Sequence, residues 1–149
     1  MTLATHFGAT GDGRTDDTAA LQHAIDAGEG VLQLAKGTYR ISRSLELDTT
    51  QLGYVGIQGA QGASRLVMVG AGPAVSVVGD HRGTATPSHV EPHTWDRERM
   101  PILSGLEIVG EHPQADGIRL KRTMQATIQN TLVRRARHGI RLVERNRNF

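Results

Sequence analysis

An all-β parallel solenoid, closed at its N-terminal end by one α-helix, is the architecture this 149-residue sequence predicts, on three observations. Short β-favouring runs recur along the whole chain, separated by corners of Gly, Pro, Asp, Asn and His. Gly117-Ile118-Arg119-Leu120 returns as Gly139-Ile140-Arg141-Leu142 at an offset of 22, and Ile108 returns as Ile128 after 20. A spacing in the low twenties is one coil of a parallel β-helix or one leucine-rich repeat. The leucine-rich frame is absent, so the β-helix stands. Composition agrees: 18 glycines and only 3% aromatic residues suit a narrow, stacked interior.

The N-terminal element comes first in the chain. Phe7-Gly8-Ala9 and Gly11-Asp12-Gly13 place small or permissive residues where the backbone bends, and Thr15, Asp16 or Asp17 can each accept the orphan N–H groups of a helix start. Ala20, Leu21, Ala24 and Ile25 recur at helical spacing and Gly28 follows as a C-terminal cap, which predicts a helix near 16–27. Strands are then expected at Val31–Leu34, Tyr39–Ile41, Leu45–Leu47, Val55–Ile57, Leu66–Val69, Ala74–Val78, Leu106–Val109, Ile118–Leu120, Thr127–Gln129 and Ile140–Val143. Residues 79–100 break the pattern with three histidines, the one tryptophan and two prolines, and read as a loop excursion. No linker divides the chain, so residues 1–149 read as the cap and first coils of a single domain.

The order HFGATGDGRTDDTAALQHAI (His6–Ile25), followed by Lys36-Gly37-Thr38-Tyr39-Arg40-Ile41, resembles the opening of the pectate-lyase-like right-handed parallel β-helix proteins, in their rhamnogalacturonase/epimerase-like branch. The likeness is close over about residues 5–47, and the later chain shares its repeat character. It implies a helix capping a β-solenoid and work on polysaccharides as a lyase, hydrolase or uronate epimerase. Relatives of this type act outside the cell or on virions, which implies an extracellular or cell-surface setting. In such families the catalytic residues come from central coils of a longer solenoid, and Ca²⁺ is a possible cofactor of a longer relative. The resemblance therefore implies a chain truncated at its C-terminal end, with its active site elsewhere.

Charge narrows the partners. Residues 117–149 carry nine Lys and Arg against the single Glu144, whereas residues 1–116 carry eight against 14 acids. A segment so basic implies an anionic partner, carboxylates that this chain lacks nearby, or simply a solvated face. In the solenoid, Arg119 and Arg141 point outward one above the other, about 4.8 Å apart. Their repulsion costs about 1 kcal/mol in water, and the pair suits the carboxylates of an acidic sugar. Trp95, with Arg97 and other charged neighbours, is a candidate for stacking on a pyranose face; packing in the core or as a lid serves equally well. The expected substrate-binding residues are Trp95, Arg97, Arg119 and Arg141.

Other motifs point away from cofactors. Gly70-Ala71-Gly72 follows a strand, but Pro73 and a further strand replace the helix that pyrophosphate binding needs. His89 and His93 have H-x-x-x-H spacing with Pro92 inside it, so exposed loop histidines are expected and no metal site. Asp12, Asp16 and Asp17 lack the calcium-loop pattern and fit the capping turn. There is no cysteine, no apolar run of membrane-spanning length and no signal-peptide core after Met1. Elimination from a uronate needs carboxylate neutralisation and a base, hydrolysis needs two facing carboxyls, and neither set assembles from the sequence. The expectation is a polysaccharide-active β-helix protein whose catalytic residues are unknown. The alternatives are a non-catalytic glycan-binding or structural solenoid, of adhesin or tailspike type, with self-association through an open C-terminal coil. The expected partner is an acidic polysaccharide, with no nucleic acid and no membrane.

Overall fold

The computed structural model describes residues 2–82 and 86–147. Fourteen short strands among them form three parallel sheets. One contains β1 (Thr2–Leu3), β3 (Val31–Gln33), β6 (Gly56–Gln58), β9 (Ile102–Ser104) and β12 (Thr127–Gln129). The second contains β2 (Asp12–Asp16), β4 (Gly37–Ile41), β7 (Ser64–Met68), β10 (Leu106–Gly110) and β13 (Leu132–Arg134). The third contains β5 (Leu45–Asp48), β8 (Gly72–Val78), β11 (Ala115–Lys121) and β14 (Ile140–Val143). The chain visits the three sheets in turn, and each visit lies beside the strand one coil earlier. This is a parallel β-helix.

Strand alternation builds the core, because every second side chain faces the solenoid axis. Leu32, Ile57, Leu103 and Ile128 stack in the first sheet, and Tyr39, Leu66, Ile108 and Val133 in the second. Leu45, Val75, Ile118 and Ile140 stack in the third, beside Leu47, Val77, Leu120 and Leu142. The 22-residue offset of Ile118 and Ile140 is therefore a true coil register. The 20-residue offset of Ile108 and Ile128 is not: Ile108 pairs with Val133, and Ile128 pairs with Leu103 in another sheet.

Helix α1 spans Thr18–Asp26 and buries Leu21, Ala24 and Ile25 against β3 and β5. In the first coil it stands where the third sheet would have a strand. Gln22 completes that substitution: its Oε1 accepts from Glu46 N at 2.9 Å, and its Nε2 donates to Glu46 O at 3.0 Å. The edge of β5 is thereby satisfied by a side-chain amide. Residues 12–16, read from sequence as part of the capping turn, form β2 and pair with β4. Gly11 in the preceding turn has φ +62°, and an added Cβ would lie 2.9 Å from the Tyr39 ring, so both conformation and space require glycine.

The excursion leaves the third sheet after β8 and returns at β9. It is not structureless: a 3₁₀ turn at Pro87–His89 and helix α3 (Pro92–Arg97) fold within it. A short helix α2 (Thr49–Leu52), N-capped by Asp48 accepting from Thr50 N at 2.9 Å, packs against α3. Among the described residues no helix is long and apolar enough to cross a membrane.

Candidate functional site

Two regions present chemistry. One is the outer face of the third sheet, where strand register fixes a ladder of Glu46, Ser76, Arg119 and Arg141. Arg119 donates to Ser76 Oγ through Nη2 at 2.9 Å and Nε at 3.2 Å, which orients its guanidinium along the sheet. Arg141 is exposed on the neighbouring strand, and neither arginine has an ion pair among the described residues.

The rest of the basic segment is better neutralised than its sequence implies. Glu107 accepts from both Arg65 Nε and Arg134 Nε at 2.6 Å. Asp116, with a side chain 4% exposed, accepts from Arg137 at 2.9 Å and lies 2.9 Å from His138 Nδ1. Lys121 and Arg122 both pair with Glu144. Coiling brings Glu107 and Asp116 of one turn beneath Arg134 and Arg137 of the next, so these carboxylates come from the acidic part of the chain. Burial opposes ionisation of Glu107, but its two arginine partners hold its pKa below the usual carboxylate range. The Arg137 hydrogen bond does the same for Asp116 more strongly, lowering it to about 2.

The second region is the excursion. Trp95 is 44% exposed on α3, with the Arg99 guanidinium 5.7 Å from its ring centroid. Together with Pro87, Val90, Pro92, Asp96 and Arg147 it lines a cavity of about 470 Å³. Arg97 stands on the same helix, exposed. Trp95 and Arg97 thus share one short helix, and Arg119 and Arg141 share one sheet face; the fold puts the two pairs on separate elements.

Behind Trp95, α3 presents a polar face to the solenoid. Thr94 and Glu98 are 1% and 4% exposed. His93 Nε2 lies 2.7 Å from Asp80 Oδ2, Thr94 Oγ1 donates to Asp80 Oδ1 at 3.1 Å, and Asp80 N donates to Glu98 Oε2 at 3.1 Å. Burial pushes the Glu98 carboxyl up. Burial also opposes the Asp80 carboxylate, but hydrogen bonds from His93 and Thr94 hold it below the usual range. His93 is raised in turn by its bond to Asp80.

This grouping was not visible in the sequence. The histidine spacing pointed from His93 to His89, whereas the actual partner, Asp80, is 13 residues away across the excursion. His81, expected to be an exposed loop histidine, is 3% exposed, and its own burial and then the Arg147 charge lower its pKa. Only the order of the loop, an acid at its entry and another near its exit, could have drawn attention to Asp80 and Glu98.

Comparison with known proteins places the fold in a lineage. Alginate lyase 7 of Azotobacter vinelandii is 58% identical over 40 residues, covering 24% of this chain and 5% of the lyase. Mannuronan C5-epimerase AlgE3 of the same organism is 58% identical over 40 residues, covering 24% of this chain and 2% of the epimerase. The chain thus spans a small fraction of the length of these relatives. Among solved structures, ORF18 of Geobacillus virus E2 superposes with a TM-score of 0.63 at 20% identity, covering 86% of this chain and 24% of that one. The family described as rhamnogalacturonase A/epimerase, pectate lyase-like matches residues 2–91, more than half of the sequence. With three parallel sheets wound into one solenoid and a helix over its first coil, the chain belongs to this pectate-lyase-like family of right-handed parallel β-helix proteins.

Proposed function

We propose that this chain is a part of an extracellular, polysaccharide-active β-helix protein, and that it contributes a binding face for a uronate-containing glycan. The observation that carries the reading is the register of Arg141 on Arg119, cations stacked on adjacent strands with no carboxylate paired to either among the described residues. A polyuronate offers one carboxylate per sugar, and a row of guanidinium groups answers that repeat with bidentate, charge-assisted hydrogen bonds. The relatives named for alginate and mannuronan chemistry support the substrate class.

Trp95 adds an apolar platform at the excursion, where its cavity could hold a pyranose ring, with Arg97 on the same helix to meet its substituents. One observation favours binding over chemistry for this chain by itself. The outer ladder of the third sheet has a single acid, Glu46, and Ser76 stands between it and Arg119. Along that row no second carboxyl faces Glu46 for hydrolysis, and Ser76 separates its one carboxylate from the arginines.

Retention on immobilised alginate tests the proposal. The wild-type chain is expected to bind at low salt and to elute as ionic strength shortens the screening length. Arg119→Ala/Arg141→Ala is expected to flow through. Equal retention of the two proteins would remove the arginine ladder from glycan recognition.

A further inference from the structure

We propose that Asp80, His93 and Glu98 form a binding site for a divalent cation of the zinc class, placed between the excursion and the solenoid wall. The donor atoms, two carboxylate oxygens and one imidazole nitrogen, all lie within 4.8 Å of one another. Zinc takes His nitrogen and carboxylate oxygen at about 2.0–2.2 Å in four-coordinate geometry, which sets ligand atoms about 3.4 Å apart, so on binding the 2.7 Å Asp80–His93 pair opens and any wider separation in the group closes to that spacing. Imidazole selects for zinc over calcium or magnesium, which prefer an all-oxygen shell.

The surroundings supply what a metal site needs. Thr94 Oγ1 donates to the other oxygen of Asp80 at 3.1 Å, and Asp80 N donates to Glu98 at 3.1 Å, so both carboxylates are oriented by a second layer of hydrogen bonds. Asp80 and His93 also line a cavity of about 340 Å³ with Arg82, His89 and Glu91, which leaves room for water at the fourth position.

Charge gives the independent argument. Glu98 is 4% exposed and stands beside the half-buried Asp80, and among the described residues neither carboxylate has a Lys or Arg ion pair; the imidazole of His93 is the one cationic partner. Buried charges are paired or coordinate metals. Helix α3 also has no large apolar residue on its buried face, where Thr94 and Glu98 make the contact. Its attachment to the solenoid at this point is polar, and a cation would complete it.

The test is titration of the chelator-stripped chain with ZnCl₂, and separately with CaCl₂, by calorimetry and by Trp95 emission, since the indole is two residues from His93 on α3. The expected result is one Zn²⁺ per chain, bound at least tenfold tighter than Ca²⁺, with a change in the Trp95 spectrum. His93→Gln, at an exposed side chain, and Glu98→Gln are each expected to weaken Zn²⁺ at least tenfold with an unchanged circular dichroism spectrum. His6→Gln, in the N-terminal turn, should leave binding as it is. Absence of saturable Zn²⁺ binding, equal affinity for Ca²⁺, or wild-type affinity in His93→Gln overturns the site.

Discussion

Asp17 is 1% exposed, and its carboxylate accepts from Thr10 N at 2.8 Å, Thr10 Oγ1 at 3.2 Å and Gly11 N at 3.0 Å. It therefore ties the glycine turn to the helix start rather than capping the helix. That second task falls to Asp16, which accepts from Thr18 N at 3.0 Å. Asp12 closes its own turn by accepting from Arg14 N and Thr15 N, both at 2.8 Å, and those bonds lower its pKa to about 2. Asp17→Ala leaves partly buried donors unsatisfied and is expected to cost about 1–3 kcal/mol in denaturant unfolding. Asp116 supplies a pH signature. Its pKa falls from 3.8 to about 2 on folding, chiefly through the Arg137 hydrogen bond, so the folded state binds its proton less tightly than the unfolded chain. The stability it contributes is fully present above pH 4 and is lost as pH falls from about 4 towards 2. Asp116→Asn should flatten that part of the stability–pH curve; a curve identical to wild type would mean that the Arg137 pair does not couple to folding.

At the scale of elements, the N-terminal cap separates what packing contributes from what edge satisfaction contributes. Leu21 is fully buried against the first coils, and Leu21→Ala is expected to cost about 2–5 kcal/mol by chemical denaturation. Gln22→Ala removes two hydrogen bonds that water can replace at this exposed edge, so a loss of about 1 kcal/mol is expected. A thermal midpoint unchanged by Leu21→Ala would show that α1 does not cover the core. The apolar stripe was legible because helical periodicity is local; the Gln22 contact was not, because it depends on which strand lies opposite. The same division holds for the strands. Runs such as Ala74–Val78 and Ile118–Leu120 announced themselves by composition, whereas β2 (Asp12–Asp16) is polar and is defined by pairing with β4. Strands β9 and β13 lie outside the expected runs and are defined by pairing with β6 and β12, and with β10. Of the candidate site, the Arg119–Arg141 stack followed from the repeat, while Asp80 and Glu98 meet only when α3 folds back.

Across the whole molecule the two ends of the solenoid differ. The first coil is covered by α1, and burial there is complete at Leu21, Leu45 and Leu47. In the last coil the inward positions are open: Ile140 is 53% and Leu142 is 44% exposed, and with Leu120, Ala126 and Ile128 they line an apolar cavity of about 260 Å³. Strands β12, β13 and β14 each pair on one side, so their other edges present backbone N–H and C=O groups beside this apolar surface. Such an edge is a template for further pairing, and a second copy of the chain carries the matching geometry. Arg141 and Arg145 oppose close approach, so association should strengthen as salt screens them, opposite in sign to the elution expected from alginate. We therefore expect the 149-residue chain to sediment as a concentration-dependent dimer or larger species at moderate salt. Ile140→Lys/Leu142→Lys places two cations in the open interior and should shift it to monomer, with little change in circular dichroism because both side chains are already exposed. A wild-type chain that stays monomeric across the concentration series, or a double variant that associates equally well, would show that this end of the solenoid does not drive assembly.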